Sequence, residues 1–526
     1  MSDSAAKKDE DWKPKANPWL IAVLVTLAAF MEILDTTIVN VSLPHIAGDL
    51  SSTYDDATWT LTSYLVANGI VLTISGWLSK LFGRKRYFLI CISMFTVSSF
   101  LCGIATNLPE LIIFRLMQGF FGGGLQPNQQ SIILDTFPPE KRAAAFGLTA
   151  IATIVGPVLG PTLGGWITDN FEWRWIFFVN VPFGILACIG VALVVDDPPW
   201  ARKRSAPLDV VGIGLIALGF GCLEVMADRG EDDDWFGSNF ICTMAALAAV
   251  GLIGAVIWLL RTDRPAVDLR VFKDRNFAVG TLMIGAVGML LYSSALVVPQ
   301  FAQQVIGYTA TLSGLVLSPG GIMVIILIPI VGRLMKVFSV RSIIAFGFAF
   351  MGASMYFSAR LTPTQDFYHL VIYRMSQTAS LAFLFVPIST ITFATLPREL
   401  NGDGSAIFAM ARNVLGSISI SGATAMVTEF RQAHQSHMTK WMSSAHQPYN
   451  EYLARGHALA KARGFAASRL DQVAQHQIFA QFTKQVAILS YNEVFMVLGI
   501  IAFMVVPFCF LMSPMKGGGA PSGGGH

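Results

Sequence analysis

Charge is what this 526-residue chain has least of: 13% of its residues are Asp, Glu, Lys or Arg, while 54% are hydrophobic. A soluble globule carries about 25% charged residues, so the deficit points to a life in lipid. No G-x-x-x-x-G-K-[ST] run occurs, which argues against a phosphate-cradling loop and ATP-driven work by this chain alone. The six cysteines (Cys91, Cys102, Cys188, Cys222, Cys242, Cys509) all fall in apolar runs and give neither a disulfide framework nor metal-ligand spacing. The formal charge is only +3, and no basic patch suggests a nucleic-acid partner. No nucleophile, base and orienting group stand together, so an enzyme is disfavoured and no cofactor or metal is expected.

What is present is apolar length. Windows of about 20 apolar residues, enough to cross a hydrocarbon core of about 30 Å, recur along nearly the whole chain. They predict spans near 17–40, 57–79, 87–106, 108–134, 143–168, 174–195, 209–228, 239–260, 276–300, 311–334, 341–359, 366–395, 404–430 and 488–512. With the N-terminus inside, the inner segments hold 23 Lys/Arg and the short outer loops only Arg174, Arg229 and Arg360. That bias predicts that both termini are cytoplasmic. The polar start MSDSAAKKDEDWKPK, with no cleavage signal, reads as a cytoplasmic tail.

The chain also repeats itself. GWLSKLFGRKR (76–86) aligns with GRLMKVFSVRS (332–342), FRLMQ (114–118) with YRMSQ (373–377), and FPPE (137–140) with LPRE (396–399), all at nearly one shift. Duplicated bundles suit a transporter that rocks about a central site. The expected organisation is an all-α integral membrane protein with 14 transmembrane helices in a 6+2+6 order. Its parts are a tail at 1–16, a six-helix bundle at 17–200, a two-helix insert at 201–265, a second six-helix bundle at 266–515, and a flexible tail at 516–526. The second bundle includes a long outer segment, 431–487, rich in Gln, Ala and His and read as amphipathic helices. That segment is a candidate docking surface or lid; His434 and His437 share a face but lack the ligands of a tetrahedral site.

Ionisable groups inside spans are costly and face a bundle interior or a water-filled cavity. Glu32 and Asp35 stand three apart on span 1, and Arg115 on span 4 lies at a matching depth. The two carboxylates with the arginine form either a coupled proton carrier or a static ion pair between helices. Glu224 in span 7 is a second proton carrier or a carboxyl hydrogen-bonded between helices. Arg374 in span 12 steers anionic groups, holds a counter-ion, or locks helices; Arg412, beside Asn413, lies nearer the cytoplasm and either snorkels inward or locks helices. Gly156, Gly160 and Gly164 make a smooth face on span 5, while Pro157 and Pro161 predict a bend or gating hinge rather than simple close packing. GRKR is either inside positive charge alone or, with Gly76, Gly83 and Arg84, a cytoplasmic latch onto helix ends.

Taken together, LDTTIVNVSLP (34–44), GWLSKLFGRKR (76–86), FRLMQG (114–119), FPPEKR (137–142), GPVLGPTLGGW (156–166), WRWIFFVNVPFG (173–184), ADRGEDDDWF (227–236), VDLRVFKDRNF (267–277) and GYTAT (307–311) carry a family resemblance. The chain resembles the fourteen-helix drug/proton antiporter branch of the major facilitator superfamily, and within it the EmrB-type multidrug exporters. The resemblance implies the major facilitator fold and a proton gradient driving export of amphipathic or lipophilic compounds. It implies that Asp35 is the coupling carboxylate, that Arg115 takes part in coupling, and that Gly156, Pro157, Gly160 and Gly164 are the exporters' fifth-helix motif. The long outer segment implies a periplasmic adaptor, an outer-membrane channel beyond it, and the inner membrane of a Gram-negative cell. Two departures stand out. Lys80 occupies a position where the superfamily's loop motif has an acid, which argues against an acid-based latch. Glu32 and Glu224 stand where the family tends to be neutral. The rival readings are a dedicated exporter of one metabolite or fatty acid, and a non-transporting scaffold acting through 431–487.

Overall fold

The computed structural model describes residues 14–198, 209–362 and 365–513. The expected tails at 1–16 and 516–526 lie almost wholly outside them, as does the basic run at 202–204. The described chain is helical throughout. In the first bundle run α1 (Pro18–Asp49), α2 (Tyr54–Phe82), α3 (Arg84–Ile104), α4 (Leu108–Gly122), α5 (Leu125–Thr136), α6 (Pro139–Asn170) and α7 (Asn180–Val194). Next come α8 (Val210–Arg229) and α9 (Asn239–Arg261), followed by α10 (Arg275–Phe301), α11 (Ala310–Val337), α12 (Val340–Ser358), α13 (Phe367–Thr392), α14 (Asn401–Thr439), α15 (Gln447–Ala462) and α16 (Leu470–Val505).

The helices begin where side chains can satisfy orphan N–H groups. Asn17 accepts from the Trp19 amide at 2.9 Å, Asn107 from Glu110 at 3.0 Å, Asp209 from Gly212 at 2.8 Å and Asp366 from His369 at 3.0 Å. Such caps matter at a membrane boundary, where water stops satisfying the backbone.

Thirteen of the described helical segments are long and apolar enough to span a membrane. The remaining expected span, 108–134, is divided in two. It is two helices, α4 and α5, separated at Gly123–Gly124. The glycines let this crossing press on its neighbours' backbone. A Cβ on Gly119 or Gly123 would overlap the Tyr64 or Asn68 carbonyl of α2, and one on Gly124 would sit 2.6 Å from both Cys91 and Tyr87 of α3.

Within the bundles α1 packs against α6 and α7, and α10 against α13 and α14. Two seams join the bundles: α6 lies against α11, and α2 against α14. The pair α8 and α9 packs on itself, with α8 touching both α2 and α14 along the second seam.

α6 is a single unbroken helix despite Pro157 and Pro161. Its glycines serve contact: Cβ atoms on Gly156 and Gly164 would lie 2.5 Å from Ile33 and 2.7 Å from the Ile38 carbonyl, and one on Gly160 would overlap the Thr37 hydroxyl. Close packing of α6 on α1 is what the glycines of this stretch produce.

The end carrying GRKR is tied differently from the other. Lys80 of α2 pairs with Asp403 of α14, so a latch to an acid does exist, with the lysine in one bundle and the acid in the other. Arg84 pairs with Asp135 at the end of α5 and donates to the Ser131 carbonyl at 3.2 Å. Ser131 in turn donates to the Asn401 carbonyl at 3.4 Å across the seam. Gly83 turns the chain between α2 and α3 at φ +85°, and Gly76 allows Asp403 to approach; a Cβ there would lie 2.8 Å from its carboxylate. At the opposite end Thr311 donates to Asp169 at 2.8 Å, and Thr162 meets Ser318 at 3.3 Å, both across the α6–α11 seam.

On that opposite side α14 and α16 extend past the apolar region and α15 lies between them in sequence. α15 packs on α16, where Gly456 approaches Ala474 and His457 faces Asp471 at 2.7 Å. His434 faces Glu493 at 3.2 Å. These are pairs; among the described residues no group of three His, Cys, Asp or Glu side chains is placed to hold a metal.

Candidate functional site

Asp35 lies at the centre of a buried polar socket. Both it and Arg115 are 0% exposed, and Arg115 Nη1 reaches Asp35 Oδ2 at 2.5 Å. Gln118 Nε2 donates to Oδ1 at 2.9 Å, and Asn180 Nδ2 donates to the same oxygen at 2.8 Å. Every partner is a donor, a set complementary to a carboxylate. Arg115 is itself fixed: its Nε donates to the Thr60 carbonyl at 3.2 Å, Nη1 also reaches Gln118 Oε1 at 2.8 Å, and its guanidinium lies 4.1 Å from the centre of the Tyr64 ring. Asn180 is oriented by Ser99, whose hydroxyl donates to the Phe177 carbonyl at 2.9 Å.

Glu32 does not share this socket. The expected close carboxylate pair is therefore replaced by two sites on one helix, because the flanking helices offer different donors at the two positions. Glu32, 1% exposed, accepts from Asn68 Nδ2 at 3.0 Å and from Gln126 Nε2. The other end of the Gln126 amide accepts from Arg412 Nη2. A relay thus runs from Glu32 in the first bundle through an amide to Arg412 in the second.

Arg412 corrects another expectation. It is buried and turned to the centre rather than snorkelling inward to the cytoplasmic face, with Nε donating to Asn413 at 3.2 Å and the guanidinium 5.7 Å from the Phe385 ring centre. Gln126, Gln129, Gln130, Thr149 and Thr153 join Arg412 around a small central cavity that α1 closes with Ala29 and Ile33. This wall can hydrogen-bond varied groups, since each amide both donates and accepts.

Glu224 of α8 accepts from the Ser417 hydroxyl of α14 at 2.6 Å. One turn on, Asp228 accepts from Thr62 and Arg229 donates to Thr58 at 3.0 Å, both on α2. α8 therefore holds one bundle with its acid at 224 and the other with the pair at 228–229. Arg374 is buried in the second bundle and has no role in the central relay.

Sequence reasoning singled out the charged members of these sites and missed the amides. Asn68, Gln118, Gln126, Gln129 and Asn180 carry no charge to stand out, although QPNQQ (126–130) crowds four amides into five residues of a membrane span. That density was the available signal.

An all-helical duplicated membrane bundle with buried charge between its halves defines a secondary transporter rather than an enzyme. The model of the Major Facilitator Superfamily matches residues 25–420, and the chain belongs to that superfamily. It is 37% identical over 490 residues to the multidrug export protein EmrB of Haemophilus influenzae, covering 93% of this chain and 94% of that one. EmrB of Escherichia coli K12 is 36% identical over 508 residues, covering 96% and 98%. The fatty acid resistance protein FarB of Neisseria gonorrhoeae is 33% identical over 515 residues, covering 98% and 99%. Among solved structures the proton:xylose symporter XylE superposes with a TM-score of 0.61 at 14% identity, covering 96% of this chain and 97% of that one, a likeness of fold. The resemblance to EmrB-type exporters and the expected fold are thus borne out.

Proposed function

We propose that this transporter is a proton-driven antiporter that exports amphipathic drugs or toxic hydrophobic compounds. The observation that carries the reading is the fully buried Asp35, held by three donors from α4 and α7 while Glu32, one turn away, connects to the second bundle. A carboxylate so held cannot exchange protons until its donors move. Motion of the bundles is therefore coupled to its protonation: taking a proton releases Arg115, and releasing it restores the pair. The Gln126–Arg412 contact breaks and reforms in the same motion, so a substrate in the central cavity competes for the groups that hold the bundles together. The membrane potential contributes about 2.3 kcal/mol per charge per 100 mV to such a cycle.

The GRKR end is assigned to the cytoplasm and the long helical loop to the periplasm, in the inner membrane of a Gram-negative cell. The two EmrB relatives support a drug substrate. FarB, whose name refers to fatty acid resistance, favours a second reading in which the cargo is a single class of amphiphile. The projecting helices at 431–487 are assigned to a periplasmic adaptor and, through it, an outer-membrane channel.

Reconstitution into liposomes with a lipophilic cation and an imposed pH gradient tests the reading. The wild-type protein is expected to drive accumulation, and Asp35→Asn to lose it while still eluting as a monodisperse species. Equal driven accumulation in both removes Asp35 from coupling.

A further inference from the structure

Moving Asp35, Ser99, Arg115 and Gln118 forward by 259 positions lands on Ser294, Ser358, Arg374 and Gln377. The bonding of the arginine repeats with the spacing. Arg374 Nη1 donates to Ser294 Oγ at 2.8 Å and to Gln377 Oε1 at 3.4 Å, just as Arg115 Nη1 reaches Asp35 and Gln118. Gln377 Nε2 then donates to Ser358 Oγ at 2.8 Å. What is not repeated is the charge. Where the first bundle has the Asp35 carboxylate, the second has a hydroxyl.

Arg374 is left as a cation without an anion. It is 0% exposed, its Nε and Nη2 have no hydrogen-bond partner, and among the described residues no carboxylate lies within ion-pairing distance. An uncompensated buried charge is among the most costly features a helix bundle can carry. Beside it is a cavity bounded by Val298, Phe301, Ser358, Leu370, Tyr373 and Gln377. Two of those residues, Ser358 and Gln377, belong to the Arg374 network, and most of the remaining wall is apolar.

We propose that Arg374, Ser294, Gln377 and Ser358 form a binding site for a monovalent anion, a carboxylate or a halide, which replaces the counter-ion that Asp35 supplies in the first bundle. One guanidinium balances one negative charge, so the site favours monoanions. Nε and Nη2 of Arg374 are free to donate to the bound group, the Ser294 and Ser358 hydroxyls being engaged with the Leu291 and Ser354 carbonyls, and the apolar wall faces the alkyl side if the anion is a carboxylate. This site does not depend on the proton-coupling role of Asp35.

The test is calorimetric titration of the full chain in nanodiscs with sodium hexanoate, with sodium chloride, and with hexanol as the uncharged control. Wild type is expected to bind hexanoate or chloride saturably, with the two competing, and to ignore hexanol at the same concentrations. Ser294→Asp (S294D) installs the missing carboxylate, satisfies Arg374 internally, and is expected to weaken anion binding at least tenfold. Its thermal unfolding in anion-poor buffer should occur at or above the wild-type temperature, which separates loss of binding from loss of fold. Asp35→Asn should bind anions as wild type does. Hexanoate binding well above chloride identifies an amphiphile's carboxylate as the ligand, and parity identifies a simple halide site; both support the proposal. Equal anion affinity in wild type and S294D, or no saturable anion binding by wild type, overturns it.

Discussion

Asp35 and Glu32 are one helical turn apart, yet their neighbours assign them different work. Asp35 is enclosed by Arg115, Gln118 and Asn180, all within the first bundle. Glu32 looks through Gln126 to Arg412 in the second. Glu32→Gln removes a negative charge beside the central cavity while keeping an amide that Asn68 can still bond. Losing one charged hydrogen-bonding group costs about 1.5–3 kcal/mol, so affinity for a lipophilic cation should fall roughly 10- to 100-fold. Affinity for a neutral drug should change far less. Equilibrium binding of both ligand types to the purified variant checks this; equal losses for the two would contradict it. The acids were legible in the sequence because a charge in an apolar run breaks a simple energetic rule. Their partners were not, since nothing in the order of residues says which amide faces which acid across two helices. The separation of Glu32 from Asp35 followed from that same blind spot.

At the level of single helices, hydropathy located the crossings because each must exceed the thickness of the hydrocarbon core. It did not register the break at Gly123–Gly124, where three glycines run into the amide-rich QPNQQ and composition alone does not say where one helix ends and the next begins. The glycines of α6 illustrate the same limit: spacing showed a smooth face, but only the structure shows Ile33, Thr37 and Ile38 filling it. Gly160→Ala should therefore cost about 1–3 kcal/mol through overlap with Thr37. Gly214→Ala, in α8 where a Cβ would meet nothing within 4 Å, should be neutral or gain up to about 1 kcal/mol from helix propensity. Thermal unfolding of the two purified variants in one detergent separates them, and an equal shift would show that the α1–α6 contact is not tight. The ends of α14 and α16 also run well beyond the apolar pattern, because the long loop continues both helices rather than leaving them at the membrane surface.

For the whole molecule, the two bundles are held at the GRKR end by Lys80–Asp403 and Ser131–Asn401, and at the other by Thr311–Asp169 and Thr162–Ser318. The repeat in the sequence made two bundles legible, but the cross-bundle acid at Asp403 was not, since its partner Lys80 lies 323 positions away. Lys80 is 42% exposed but Asp403 only 2%, so the pair is worth at least the roughly 1 kcal/mol of a good exposed pair, enough to shift an open-to-closed ratio about fivefold. Spin labels at Phe82 and Phe338, both exposed on the GRKR side, report the opening by distance once the exposed Cys242 is replaced. Lys80→Met should move population to longer separations, and an unchanged distance distribution would remove the latch from the gating cycle.

The central claim is that the proton on Asp35 changes as the bundles move. Infrared difference spectroscopy of the protein in lipid, taken between alkaline and acidic buffer, measures that proton directly through the stretch of a protonated carboxyl. Subtracting the Asp35→Asn spectrum removes Glu32, Glu224 and every other acid. The account predicts a carboxyl band that grows on acidification in wild type and is missing from the variant, accompanied by a change in the spin-label distances. Identical difference spectra for the two proteins across the whole range would mean that Asp35 stays paired with Arg115 throughout, and would contradict the account.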